Sequence, residues 1–160
     1  MVSIIAVLSV VGLVSYTNFL SNSRDAKRKA DLSFIQSSLE QFHADQKFYP
    51  KQQAGRDCAS LVNGRLHMIL WSECPLKDPS GTRTYLNKVP KDPSSSTTSP
   101  YNYKYVGLYG SSTTPCDNST VLCTSYCLFA RMENSVSAVS IPTQCSTSLP
   151  AGHNYVVTPP

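Results

Sequence analysis

No charged residue occurs before Arg24, and this stretch constrains the chain more than any other feature. Residues 1–16, MVSIIAVLSVVGLVSY, form a near-continuous array of Ile, Val and Leu interrupted at Ser3, Ser9, Gly12 and Ser15. Coiled as a helix, the run is about 24 Å long at ~1.5 Å per residue. Continued to Leu20, it just reaches the ~20 residues that a hydrocarbon core of ~30 Å requires. The basic leader and small-residue cleavage site of a removable signal peptide are not among these residues. The reading is therefore a retained helix that spans a membrane or packs among partners.

The run does not end in a turn. It passes into SRDAKRKADLSFIQSSLEQFHADQKFYP, residues 23–50, with no Pro before Pro50 and no Gly between Gly12 and that point. Leu32, Ile35, Leu39 and Phe42 fall on one helical stripe. Arg28, Asp31, Glu40 and Gln41 are assigned to the opposite face. The pattern predicts one helix of ~45 residues and ~70 Å, apolar all round over 1–23 and amphipathic over 24–50. Its C-terminal half can pack on the rest of the chain. Its N-terminal half has no partner left in the chain and belongs in a membrane or among copies of itself. Ile4, Ile5, Val7, Leu8, Val10, Val11, Leu13 and Val14 are assigned to that packing. The cluster Arg24, Lys27, Arg28 and Lys29 is read as a solvated helix face interleaved with Asp25 and Asp31.

Composition places the remainder outside the cell's reducing interior. Charged residues are 15% of the chain, Ser and Thr number 36, and five charged residues cover everything from Asp92 to Pro160. A net charge of +4 spread this thinly does not support nucleic acid as a partner. A hydrophobic share of 41% argues against simple disorder. Six cysteines in 160 residues are an extracytoplasmic signature. The basic cluster after the apolar run would by itself put the C-terminal domain in the cytoplasm. The cysteines argue for the opposite side, and they decide the expectation.

Four stretches carry a family resemblance: the apolar opening SIIAVLSVVGLVSY; the helix junction 23–50 ending at Tyr49-Pro50; YLNKVPKDP, residues 85–93; and YNYKYVG, residues 101–107. Together they resemble the layout of a type IV pilin or a type II secretion pseudopilin. The resemblance implies a pilin-like α+β fold, a long N-terminal helix packed on a small antiparallel sheet. It implies a homo-oligomeric helical filament, an inner-membrane precursor with its C-terminal domain outside, and pilus or secretion machinery as assembly partner. The expected product is a structural subunit of an extracellular filament on the cell surface. The alternatives are a pseudopilin, or a monomeric membrane-anchored binding module for DNA uptake or adhesion. The methylated Phe and the Glu of the family's processed start are not matched here. The processed end is therefore expected to lie outside this chain, and no residue is assigned to the peptidase or to charge-pairing in assembly. The helix-breaking Pro that pilus subunits often carry is also unmatched.

Residues 51–100 are read as the helix-to-sheet connection, with Leu61, Leu66, Ile69, Leu70 and Trp71 suggesting a short second helix interrupted at Gly64. Residues 101–160 are read as a disulfide-linked antiparallel sheet, with strands at 101–107, 124–133, 136–142 and 154–157 and a hairpin tip at Asn134-Ser135. Tyr101, Tyr103 and Tyr105 alternate onto one face, expected to cover the long helix. Locality orders the cysteines. Cys58 and Cys74 bracket one connection. Cys127 lies in one expected strand and Cys145 follows the next, expected to return beside it through the hairpin at Asn134, which leaves Cys116 with Cys123. Ser94, Ser95, Ser96, Thr97, Thr98 and Ser99, together with the sequon at Asn118, are candidate glycosylation sites in a region short of charge. His43, His67 and His153 are far apart, and the spacing of Cys123 and Cys127 does not suit zinc. The sequence offers no nucleotide-binding or nucleophile motif, and neither catalysis nor a cofactor is read from it. Alkylation of the unreduced protein is expected to label no thiol; two or more labelled cysteines would overturn both the pairing and the compartment.

Overall fold

One helix, α1 (Val2–Gln46), takes up more than a quarter of the chain. The computed structural model describes residues 2–52, 67–68, 75–95, 102–118, 120–134 and 141–160, and side chains for all of these except 2–15, 52, 67 and 68. No proline interrupts α1, and its stop is local. Lys47 adopts a left-handed conformation at φ 64° and donates its N–H to the His43 carbonyl at 2.8 Å. Its ammonium reaches the Ala44 carbonyl at 2.8 Å, where the negative end of the helix dipole favours a cation.

Short strands follow. β1 (Lys51–Gln52) pairs in parallel with β2 (His67–Met68), and β3 (Leu76–Lys77) pairs antiparallel with β4 (Thr84–Leu86). Asp78 holds the β3–β4 turn, accepting from the Arg83 N–H at 2.9 Å and the Thr82 hydroxyl at 3.0 Å. The main sheet is antiparallel in the order β5 (Lys104–Leu108), β6 (Ser125–Ala130), β7 (Tyr155–Val157). A single-turn helix, α2 (Thr143–Ser146), precedes β7. The fold is thus α+β, a long N-terminal helix with small sheets, mainly antiparallel.

Both faces of the main sheet are covered. Tyr103 and Tyr105 from the β5 region and Tyr126, Leu128 and Ala130 of β6 meet the helix stripe Leu32, Ile35, Leu39 and Phe42, each of the four without solvent exposure. Phe42 also packs edge-on against Phe48 and Tyr85 at 5.7 and 5.3 Å. The opposite face buries Val106, Leu108, Cys127, Phe129 and Val156 with Cys145 of α2. Phenol groups join helix to sheet. Tyr103 donates to Asp31 at 2.8 Å, while Tyr49 and Tyr126 each donate to a different oxygen of Glu40 at 2.9 Å. Burial first, and then these carboxylates, hold the three phenols well above the ordinary value of 10. Tyr103 and Tyr105 therefore pack on the helix as their alternation predicts; Tyr101 lies outside the described residues.

Three expectations differ from the structure. β6 is flanked by β5 and β7; of the strand predicted at 136–142, residues 136–140 lie outside the described residues, and Ile141 and Pro142 lead into α2 without strand pairing. His67 and Met68 form a strand rather than part of a second helix. Other residues of that predicted helix, including Trp71, lie outside the described ones. Finally, not all residues assigned to the opposite helix face stay there: Arg28 is fully buried, and half-buried Asp31 and Glu40 bond the tyrosines packed on the helix.

The disulfides Cys116–Cys123 and Cys127–Cys145 are both present. Cys58 and Cys74 lie outside the described residues. The first disulfide rests on Gly107, where an added Cβ would come within 2.9 Å of both the Cys116 sulfur and the Pro50 carbonyl oxygen. Neither atom belongs to a flexible side-chain end. Gly107→Ala is expected to cost about 1–3 kcal/mol through overpacking, measured as a lowered denaturation midpoint with both disulfides intact.

Candidate functional site

Two features of α1 bear on function: the exposed stretch from Tyr16 to Phe19 and the place where the domain takes hold. Tyr16 and Phe19 are 60% and 69% exposed, large apolar side chains without cover. From Ser21 onward the helix is held. The residues assigned to filament packing, Ile4, Ile5, Val7, Leu8, Val10, Val11, Leu13 and Val14, lie on helical backbone, and their side chains are outside those described. Among the described residues no helix is long and apolar enough to cross a membrane, and the apolar run lies outside the described side chains.

The hold centres on Arg28, 0% exposed. Its guanidinium grips Asp92 in a fork, from Nε to Oδ2 at 2.8 Å and from Nη2 to Oδ1 at 3.2 Å. Nη1 donates to Asp25 Oδ1 at 2.6 Å, and Nη2 also reaches Glu133 Oε1 at 2.8 Å and the Ser94 hydroxyl at 3.0 Å. Asp25 in turn accepts the backbone N–H groups of Glu133 and Asn134 at 2.9 Å each, and the Asn134 amide at 3.0 Å. Asn134 extends the contact to Asn22 and Ser21. Arg24, partly exposed, closes the rim by pairing with Glu133. Three segments distant in sequence, residues 21–28, 92–94 and 133–134, are thereby clasped together.

The helix periodicity explains why an arginine sits there. Asp25 and Arg28 precede Leu32 and Ile35 by seven residues each, so they continue the buried stripe beyond its apolar end. The basic cluster read as one solvated face is split: Lys27 and Lys29 are exposed, Arg24 is partly covered, and Arg28 is inside. Lys29 stands over the Tyr155 ring at 5.8 Å. The spacing signal was present in the sequence, but the charge of Arg28 concealed it.

The candidate glycosylation residues have mixed placements. The Ser94 hydroxyl belongs to the clasp, and the Ser95 hydroxyl is buried. Residues 96–99 lie outside the described residues. Asn118, at φ 56°, is 1% exposed; its amide donates to the Tyr49 carbonyl at 2.8 Å and accepts the Cys123 N–H at 2.7 Å. It thus ties the disulfide loop to the end of α1, a packing task rather than the open loop expected of a glycan acceptor. Among the described residues no cluster of His, Cys, Asp and Glu could hold a metal ion.

No protein-family model, curated protein or solved structure matches this chain. The class that the described residues define is a long-helix α+β domain with an ion-pair clasp where the helix meets the sheet.

The electrostatics of the clasp set a pH window. Glu133 is drawn down to about 2, chiefly by its hydrogen bond from Arg24 and then by Arg28, against the cost of burial. Burial alone would raise the Asp25 carboxyl, but the N–H donors of Glu133 and Asn134, with Arg28, hold it below 3.8. Both folded values lie below the unfolded ones, so the stabilisation is complete above about pH 4.5 and is lost as pH falls toward 2. The denaturation midpoint is expected to decline across that window, and Glu133→Gln should flatten the decline. Arg28→Ala is expected to cost ~3–5 kcal/mol by leaving buried carboxylates uncompensated, and Arg24→Ala far less. Equal losses from the two substitutions, measured by chemical denaturation, would contradict the assignment of Arg28 as the centre.

Proposed function

We propose that the chain is a structural subunit of an extracellular, type IV pilus-like helical filament, and that it polymerises through its N-terminal apolar helix. The observation that carries this reading is the division of α1. One face of its second half is buried on the domain, while Tyr16 and Phe19 stand exposed at the end of a charge-free run. An apolar helical run of that length is stable in water only when something covers it. In this reading the cytoplasmic membrane covers it in the precursor, with the C-terminal domain outside. Neighbouring apolar helices cover it after assembly machinery extracts the subunit. Exchange of lipid for helix keeps the apolar surface out of water, so polymerisation does not oppose the hydrophobic effect. Stacking each helix against the next copy's is a heterologous contact that does not close, and such a contact generates a fibre. The disulfide-linked sheet then faces outward, and the reading assigns it no catalysis.

Electron microscopy of material sheared from the producing cells tests the reading. Long filaments containing this chain support it. Short, rare filaments favour the pseudopilin alternative, and their complete absence favours a monomeric anchored module. Val10→Asp or Leu13→Asp is expected to abolish filaments, because an unpaired charge in a packed apolar core is very costly. The domain should stay folded, with unchanged cooperative unfolding. Normal filaments from either variant would contradict the packing.

A further inference from the structure

The apolar stripe that seats α1 on the sheet repeats. Leu32, Ile35, Leu39 and Phe42 follow one another at steps of three, four and three residues, all fully buried. A stripe of that kind discriminates poorly against sliding. Displacing the helix by seven residues, about 10.5 Å at ~1.5 Å per residue, exchanges Leu39 for Leu32 and Phe42 for Ile35. The apolar face still meets the sheet.

We propose that the Arg28 clasp is a two-way axial stop that fixes the register of α1 on the sheet, and with it the length of helix standing free of the domain. Sliding the helix further onto the sheet carries Asp25 and Arg28 into the places of Leu32 and Ile35. Those places are apolar, and charges there lose their solvation without gaining partners. Sliding it the other way removes the guanidinium from Asp92, Ser94 and Glu133 and takes Asp25 from the N–H groups of Glu133 and Asn134. Asp92, 4% exposed, is then left without its counter-charge.

Other polar contacts along α1 also break on sliding: Asp31 with Tyr103, Gln36 with the Thr158 carbonyl, and Glu40 with Tyr49 and Tyr126. On the helix side these groups are half-buried, so water can replace the lost partner there; the buried phenols of Tyr103 and Tyr126, and the Tyr49 backbone held by Asn118 and Cys123, add their own penalty to sliding. Water has no such access to Arg28. A single buried polar group fixes register in coiled coils by the same logic, in which the wrong alignment is penalised more than the right one is favoured. The stop acts within one chain, whether or not the chain polymerises.

The test uses the full chain in detergent micelles with Arg28→Met combined with Asp92→Leu, which exchanges the buried pair for apolar groups. The wild type should give one set of amide resonances for residues 29–46, with the Tyr126 ring close to Glu40. The double variant should unfold cooperatively yet give a second set, with Tyr126 also close to Ser33 or Lys47, seven residues to either side. A single set with Tyr126 beside Glu40 alone and Tyr103 beside Asp31 would overturn the proposal. Should the double variant not fold, Asp92→Asn, equal in shape and one charge weaker, is read in the same way. A minor second set supports the stop, and a single native set overturns it.

Discussion

An arginine without solvent exposure is the constraint around which the described part of this molecule is arranged. Guanidinium stays charged at any pH a protein meets, so burying Arg28 commits the surrounding chain to supply carboxylates in matching geometry. Asp92 answers the planar fork, while Asp25 and Glu133 take the remaining directions. Each carboxylate then needs donors of its own, which come from Ser94, Asn134 and the backbone around Glu133. The loop after β4 and the chain leaving β6 are brought to the helix by this sequence of obligations. Apolar side chains alone would have specified the neighbourhood of those segments but not their alignment.

Much of the fold was legible because it depends on periodicity and locality. The stripe Leu32, Ile35, Leu39 and Phe42 reads directly as a buried helix face, and the alternation of Tyr103 and Tyr105 reads as a sheet face that covers it. Both described cysteine pairs match the expectation, although Cys127–Cys145 was expected through a strand hairpin and is formed instead by Cys145 of α2. The clasp was not legible in the same way. Its spacing extends the stripe, but residue type argued for solvent, and Asp92 and Glu133 gave no sign that they would meet 41 residues apart in sequence. Pairing of β6 with β7 was equally hidden, because strands of six and three residues do not announce their partners across an intervening loop. At Asn118 a three-residue motif suggested a surface modification, whereas the amide geometry serves the fold. Short motifs carry no information about burial.

Polar groups in the helix–sheet contact fall into two kinds. The phenols of Tyr49, Tyr103 and Tyr126 present their rings to the core and their hydroxyls to half-buried helix carboxylates, an arrangement suited to the amphipathic tyrosine. The clasp is built around charges and sits at the end of the contact nearest the exposed Tyr16 and Phe19. Adaptable contacts thus occupy the middle of the interface and unforgiving ones its rim. Under the proposed role, the rim is where load from the free helix would enter the domain.

The central strand has a consequence of another kind. All six residues of β6 are buried; Tyr126, Leu128 and Ala130 belong to the helix-facing core, and Cys127 and Phe129 to the core beneath α2. β6 is therefore a party wall between two small compartments, neither of which has an independent partition. Loss of packing on one side removes the support of the other, so the domain has little scope for opening one half while the other stays closed. Among the described residues only β5 and β6 exceed three residues, so that sharing favours all-or-none unfolding and leaves β6 little room to change in sequence.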